Sequence, residues 1–134
     1  MKIENEMYET AVKFLGERYG NDYGCVAVLR LETGEYLTSV YTGDHNLASV
    51  DLCAETGAIC EAHKLNKKVT HSICVAQRPE SNTREILSPC GVCQERLRFW
   101  GKDVKVAITN DDNKVLFKTL DELSPYYWYN TKWR

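Results

Sequence analysis

Two short strings in this chain place chemically active residue types at close spacing: Cys53-Ala54-Glu55 and Ser88-Pro89-Cys90-Gly91-Val92-Cys93. Cys90 and Cys93 stand three apart. With Pro89 ahead of a helix that starts at Gly91, both sulfurs reach one point in front of the first turn. Cys53 falls at the start of another expected helix, so two helix N-termini could converge on one ion through three thiolates. Helix dipoles and free backbone N–H groups lower the cost of holding thiolates there, and soft sulfur ligands favour zinc over magnesium or calcium. Three protein ligands leave a position open for water, as catalytic zinc sites do, whereas structural sites are closed by four. Glu55 then reads as a carboxylate beside that position, able to accept and return a proton, and not as a ligand. Each string alone is also compatible with a redox pair, half a structural zinc site or two buried thiols. Their conjunction, each at a helix start, favours the open zinc site over a non-catalytic, zinc-stabilised binding protein.

The elements that must position these residues are legible from periodicity. Residues 5–19 have apolar side chains at helical spacing, among them Met7, Ala11 and Leu15, and Gly20-Asn21-Asp22 ends the run. Residues 25–31 and 35–41 read as strands joined through Glu32-Thr33-Gly34, a hairpin. A polar, irregular stretch follows, and then an expected helix over 53–65 with His63 and Lys64 in its last turn, where the dipole favours cations. The pattern predicts a strand at 69–76, a polar loop at 78–85, a helix from Gly91 to Trp100 stopped by Gly101, and strands at 105–109 and 115–118. A short helical turn at 120–123 precedes an aromatic tail. The alternation α-β-β-α-β-α-β-β predicts an α/β chain, one sheet of five strands covered by helices.

At 134 residues with 43% hydrophobic and 27% charged side chains, the chain is expected to form one domain, residues 1–134, with a buried core. No apolar run approaches the roughly 20 residues of a membrane span, and the first residues lack the plan of a signal peptide. A cytoplasmic location is therefore expected, where thiols stay reduced and six cysteines do not form a disulfide framework. Cys25, Cys60 and Cys74 are expected in the core. His63 and His71 are explained by helix-end stabilisation and surface exposure, and Lys64, Lys67 and Lys68 by a solvated helix end. Seventeen Lys and Arg against nineteen Asp and Glu leave no footprint for a nucleic-acid backbone.

Cys-x-Glu followed by Pro-Cys-x-x-Cys resembles the signature of the zinc nucleoside deaminases. With three cysteines, the chain is similar to the small cytidine deaminases and the related blasticidin S deaminases, over most of its length. The resemblance implies a three-layer α/β/α cytidine deaminase-like fold with a central mixed five-stranded sheet. It also implies one zinc ion per subunit on Cys53, Cys90 and Cys93, and Glu55 as proton shuttle. A homotetramer with shared active sites is implied too. Backbone groups at Ala54 and Ser88 would contact the base, Tyr23 would lie against the pyrimidine, and Trp128 belongs to an aromatic segment that closes the site. The implied reaction turns cytidine or deoxycytidine into uridine or deoxyuridine plus ammonia. An aminocytosine nucleoside antibiotic is the alternative substrate. The family's sugar-binding Asn-x-Glu is replaced: counted back from Cys53, Thr42 stands for Asn and Asp44 for Glu, counted forward from Gly34 the match shifts by one, and His45 is a further candidate for substrate contact. Thr56 and Gln94 stand where such deaminases carry arginines.

Overall fold

The computed structural model describes residues 2–43, 47, 49–80 and 83–130. Helix α1, Ile3–Tyr19, buries Met7, Ala11 and Leu15, one residue per turn on a single face. Full burial of side chains such as Met7 and Leu15 is worth roughly 1.5–3 kcal/mol each. The chain then forms β1, Gly24–Leu31, and turns back into β2, Tyr36–Val40. Alternate residues of β1 serve opposite sides of the sheet. Val26 and Val28 pack with the buried face of α1, while Cys25, Ala27, Leu29 and Leu31 pack with α2, Thr56–Leu65, through Ala58, Ile59 and Ala62. Strand β3, Val69–Arg78, pairs antiparallel with β1 along nearly its whole length.

The sheet has six strands where five were expected. The additional strand, β4 (Thr83–Ile86), lies in the predicted polar loop and pairs antiparallel with the end of β3, Val75 opposite Ile86. Its four residues, two of them charged, are too short for an alternating pattern to show. Long-range partners stabilise it: Ile86 is buried, its N–H donates to Asn113 Oδ1 at 2.9 Å, and Asn113 Nδ2 donates to the Arg84 carbonyl. The remaining elements are α3 (Gly91–Leu97), β5 (Lys105–Ala107), β6 (Phe117–Thr119) and α4 (Leu120–Leu123). Leading from β3 through β4 and α3, the chain reaches β5 and pairs it parallel with β3 at His71 and Ser72; every other pairing is antiparallel. The strand order is β2-β1-β3-β5-β6, with β4 on β3. Helices on both faces make the three α/β/α layers.

Several expectations shift. Helix α2 begins at Thr56, so Cys53, Ala54 and Glu55 form the turn in front of it and Glu55 is its N-cap residue. Helix α3 tightens into a 3-10 turn at Arg98–Trp100 before Gly101. Cys25 and Cys74 are core residues, but Cys60 is exposed, because α2 buries positions 58, 59 and 62 and turns position 60 outward. His71 is half-buried, not a surface residue: its ring packs edge-on against Phe117, centroids 5.1 Å apart. His63, in the last turn of α2, is exposed as expected and lies 4.7 Å from the rings of both Phe99 and Trp100. Among the described residues, no helix is long and apolar enough to cross a membrane.

Candidate functional site

The turn ahead of α2 is built to approach β2 closely. Ser39 on β2 donates its hydroxyl to the Ala54 carbonyl at 2.5 Å. A Cβ at residue 57 would sit 2.9 Å from that of Ser39, so only glycine lets the first turn of α2 come this near. Thr42, just past β2, holds the preceding segment. Its N–H donates to the Leu52 carbonyl at 3.2 Å, and its hydroxyl accepts from Leu52 N at 2.9 Å and donates to the Val50 carbonyl. Cys53 and Glu55 thus hang from a turn pinned at Ser39 and Thr42.

The second string is held as firmly. Leu87 N donates to the Cys74 carbonyl of β3 at 3.0 Å. Ser88 and Thr109 bond reciprocally, each backbone N–H donating to the other's hydroxyl, at 3.0 and 2.8 Å. Gln94 on α3 reaches back, its amide donating to the Pro89 carbonyl at 2.9 Å and accepting from the Ser124 hydroxyl at 3.3 Å.

These supports bring Cys53, Cys90 and Cys93 together, their sulfurs all within 4.8 Å of one another and the Cys53–Cys90 pair 3.3 Å apart. All three are free thiols. Sulfurs about 2.3 Å from a tetrahedral zinc ion lie roughly 3.8 Å from each other, within the span seen here, and the donors are soft. The residues present therefore fit a zinc ion. Electrostatics distinguish the three thiols. Burial pushes Cys93 far above the ordinary thiol value, and the negative charges of Glu55, Cys53 and Cys90 add to it. Burial raises Cys53 as well, with a contribution from Cys90. Burial also opposes ionisation of Cys90, but the backbone N–H groups of Cys93 and Val92 and the Cys53 thiol overcome it and hold Cys90 below its ordinary value. The Cys90 thiolate is stabilised by the amides of the α3 start, as expected at a helix N-terminus.

Glu55 is 4% exposed, and burial raises its pKa above the usual carboxylate range, against the stabilising pull of its own backbone N–H and the Cys93 thiol. A carboxyl group so placed is poised to carry a proton both ways. Behind it, Cys25 and Cys74 touch at 3.4 Å, and the Glu55 charge disfavours ionisation of both.

The other sequence-predicted residues are distributed as follows. Ala54 is buried and its carbonyl is engaged by Ser39. Ser88 is exposed, with its own N–H donated to Thr109. Tyr23 is 51% exposed and lines a hollow at the start of β1. Trp128 sits in a 3-10 turn, Trp128–Asn130, in a tail strapped to α3 by Arg98. Asp44 and His45 lie outside the described residues. Sequence reasoning missed Ser39, Gln77 and the anchoring role of Gln94. Gln77 donates from Nε2 to the Gly20 and Asp22 carbonyls at 2.8 and 2.7 Å, fixing the turn before Tyr23. A small hydroxyl or amide within an element gives no sequence signal; only its distant partner shows its role.

No protein-family model matches the chain. It is 29% identical over 125 residues to the Blasticidin-S deaminase of Bacillus cereus, covering 90% of this chain and 88% of that protein. A crystal structure of the cytidine deaminase from Bacillus anthracis superposes with a TM-score of 0.89 at 50% identity, covering 95% of this chain and 90% of the other. The cytidine deaminase from Mycobacterium leprae gives a TM-score of 0.69 at 19% identity, covering 93% and 99%; that likeness is one of fold.

Proposed function

Because the chain belongs to the cytidine deaminase family, we propose that it hydrolyses the exocyclic amine of a free cytosine nucleoside, cytidine or deoxycytidine, to a uracil ring and ammonia. The observation that carries this reading is the buried Glu55 carboxyl set beside three thiols gathered within 4.8 Å. Cys53, Cys90 and Cys93 would hold one zinc ion per subunit. When bound, zinc supplies the Lewis acidity that makes water nucleophilic near neutral pH. Glu55 takes a proton from the attacking water and delivers it to ring N3 as the water oxygen bonds to C4. It then moves the second proton from that oxygen to the amine, the C4–N bond breaks, and ammonia leaves a C4 carbonyl. In this reading backbone groups at Ala54 and Ser88 would contact the base, and Tyr23 would lie against it. The turn pinned by Ser39 keeps Glu55 oriented through both transfers.

Glu55→Gln tests the reading. Positioned acid–base groups contribute about 10²–10⁴-fold to rate, so kcat for ammonia release from cytidine should fall by at least about a hundredfold. Zinc content and Tm should stay near those of the unaltered protein. An active Glu55→Gln protein, or no ammonia from any cytosine nucleoside, would overturn it.

A second reading, deamination of an aminocytosine nucleoside antibiotic, is favoured by the 29% identity to a Blasticidin-S deaminase. The reading takes residues 1–134 as one deaminase domain acting in the cytoplasm, where six reduced cysteines are at home, and assembling as a homotetramer with shared sites. Near-balanced charge, −2 overall, supports a free nucleoside over a nucleic-acid strand.

A further inference from the structure

A hollow of about 320 Å³ opens where β1 begins and β2 ends, lined by Arg18, Tyr19, Tyr23, Cys25, Tyr41 and Thr42 among others. Glycine at 24 keeps it open, since a Cβ there would lie 2.3 Å from the Tyr19 ring. The hollow adjoins the thiol site through two of its walls. Thr42 is hydrogen-bonded at both N–H and hydroxyl to Leu52, the neighbour of Cys53. Cys25 accepts from Tyr41 N at 2.9 Å and presses its sulfur on Cys74, within reach of the Glu55 charge. A nucleoside with its base at Glu55 therefore has this hollow beside it for its sugar.

The chemistry of the walls is uneven. Thr42, the hydroxyl residue at the rim, is engaged on both sides by Val50 and Leu52, so it is not free to read a sugar hydroxyl. The other described walls are three tyrosines, Tyr19, Tyr23 and Tyr41, with small or apolar residues between them, and Arg18 is the charged residue among the described lining. Its guanidinium lies over the Tyr19 ring, 4.6 Å from the centroid, and it makes no ion pair among the described residues; the nearby Glu17 is paired with Lys13. Arg18 also occupies the last turn of α1, where a cation complements the helix dipole. That role needs only the charge. It does not account for a guanidinium set at the wall of an aromatic hollow, where a planar fork favours carboxylate and phosphate oxygens.

We propose that Arg18 is a specificity residue that selects cytosine nucleosides whose sugar carries an anionic group, a carboxylate or a phosphate, over neutral ones. The proposal rests on the deaminase reading above. The test is ammonia release by the zinc-loaded, full-length enzyme from cytidine, its 5′-carboxylic acid and its 5′-monophosphate. It is run for the unaltered protein, Arg18→Gln and Arg18→Lys. At least one anionic substrate should exceed cytidine in kcat/KM by about tenfold or more, the worth of a charge-assisted hydrogen bond. The preferred anion identifies the source. The advantage should shrink as ionic strength rises from about 0.05 to about 0.5 M. In Arg18→Gln the ratio of anionic to neutral kcat/KM should fall about tenfold, chiefly through KM, and Arg18→Lys should retain more of it. Cytidine used as well as both anions, or a ratio unchanged in Arg18→Gln, overturns the proposal alone. No ammonia from any of the three overturns the deaminase reading and this proposal with it.

Discussion

Gln94 shows how a single side chain can hold the site without touching substrate. Its amide closes two bonds at once, to the Pro89 carbonyl just before Cys90 and to the Ser124 hydroxyl in the tail. Gln94→Met keeps the length and removes both. Losing about 1 kcal/mol per hydrogen bond loosens the placement of Cys90, and zinc affinity, read by competition with a chromogenic chelator, should weaken about five- to tenfold. Tm should fall by about 4–8 °C, the two bonds amounting to about 2 kcal/mol with no core volume lost. Unchanged affinity would show that the loop holds its shape without Gln94. The contrast with the cysteines explains what was legible at this scale. Cys90 and Cys93 belong together by spacing alone, and Glu55 by its distance from Cys53, because those relations are local. Gln94, Ser39 and Gln77 act through partners 15 to 57 residues away in sequence, or on two sides at once, and nothing near them in the chain announces it.

Among the elements, β3, paired with β1, β4 and β5, carries a titratable weak point. His71 lies where β3 pairs with β5, its Nδ1 2.9 Å from the Thr70 hydroxyl and its ring on Phe117. Burial, then the positive charges of Arg30 and Lys105, lower its pKa to about 4, with Glu4 opposing weakly. The unfolded chain takes up a proton near the usual value of about 6.5, so between those values only the unfolded state is protonated. The contribution of neutral His71 is thus complete above about pH 6.5 and is lost as pH falls through the folded value of about 4. Half-exposure in water moderates its size. The stability advantage of the unaltered protein over His71→Gln, compared by urea unfolding at pH 7, 5.5 and 4, should therefore shrink towards acid; a constant difference would refute the assignment. Strands and helices with strong periodicity, such as α1 and β1, were legible in the sequence. Strand β4 was not, because its four residues depend on Asn113 and on the end of β3. The turn at 53–55 was read as helix because it has the same residue types as a first helical turn. The Ser39 hydroxyl holds the Ala54 carbonyl in that turn, and Glu55 already has helical backbone angles where α2 begins after it.

Over the whole molecule, large rings remain outside the core. Phe99 is 72% exposed and Tyr126 97%, with Trp128 and Tyr129 about half exposed. They are not loose. Arg98 donates to the Leu120 and Ser124 carbonyls and to Asn130, and its guanidinium lies 4.2 Å from the Tyr127 ring centroid. The Tyr127 hydroxyl donates to Glu95. The tail therefore presents its aromatics in a fixed arrangement, which lowers the ordering cost of association, and aromatic residues are enriched at subunit interfaces. Such a surface supports the proposed homotetramer with shared sites, a reading that makes two linked predictions. Sedimentation equilibrium of the zinc-loaded protein at micromolar concentration should give four times the 15.4 kDa chain mass, and Phe99→Lys with Tyr126→Lys should shift it to smaller species. Sharing is tested by complementation. In the proposed tetramer, Glu55→Gln would remove the proton carrier from its own site, and Trp128→Ala would remove a ring offered to a neighbour's site. Co-refolding the two should rebuild some sites with both groups intact and return a fraction of the activity that neither has alone. A fully active monomer would end the tetramer reading, and mixtures that stay as inactive as their parts would end the sharing of sites while leaving the Glu55 chemistry untouched.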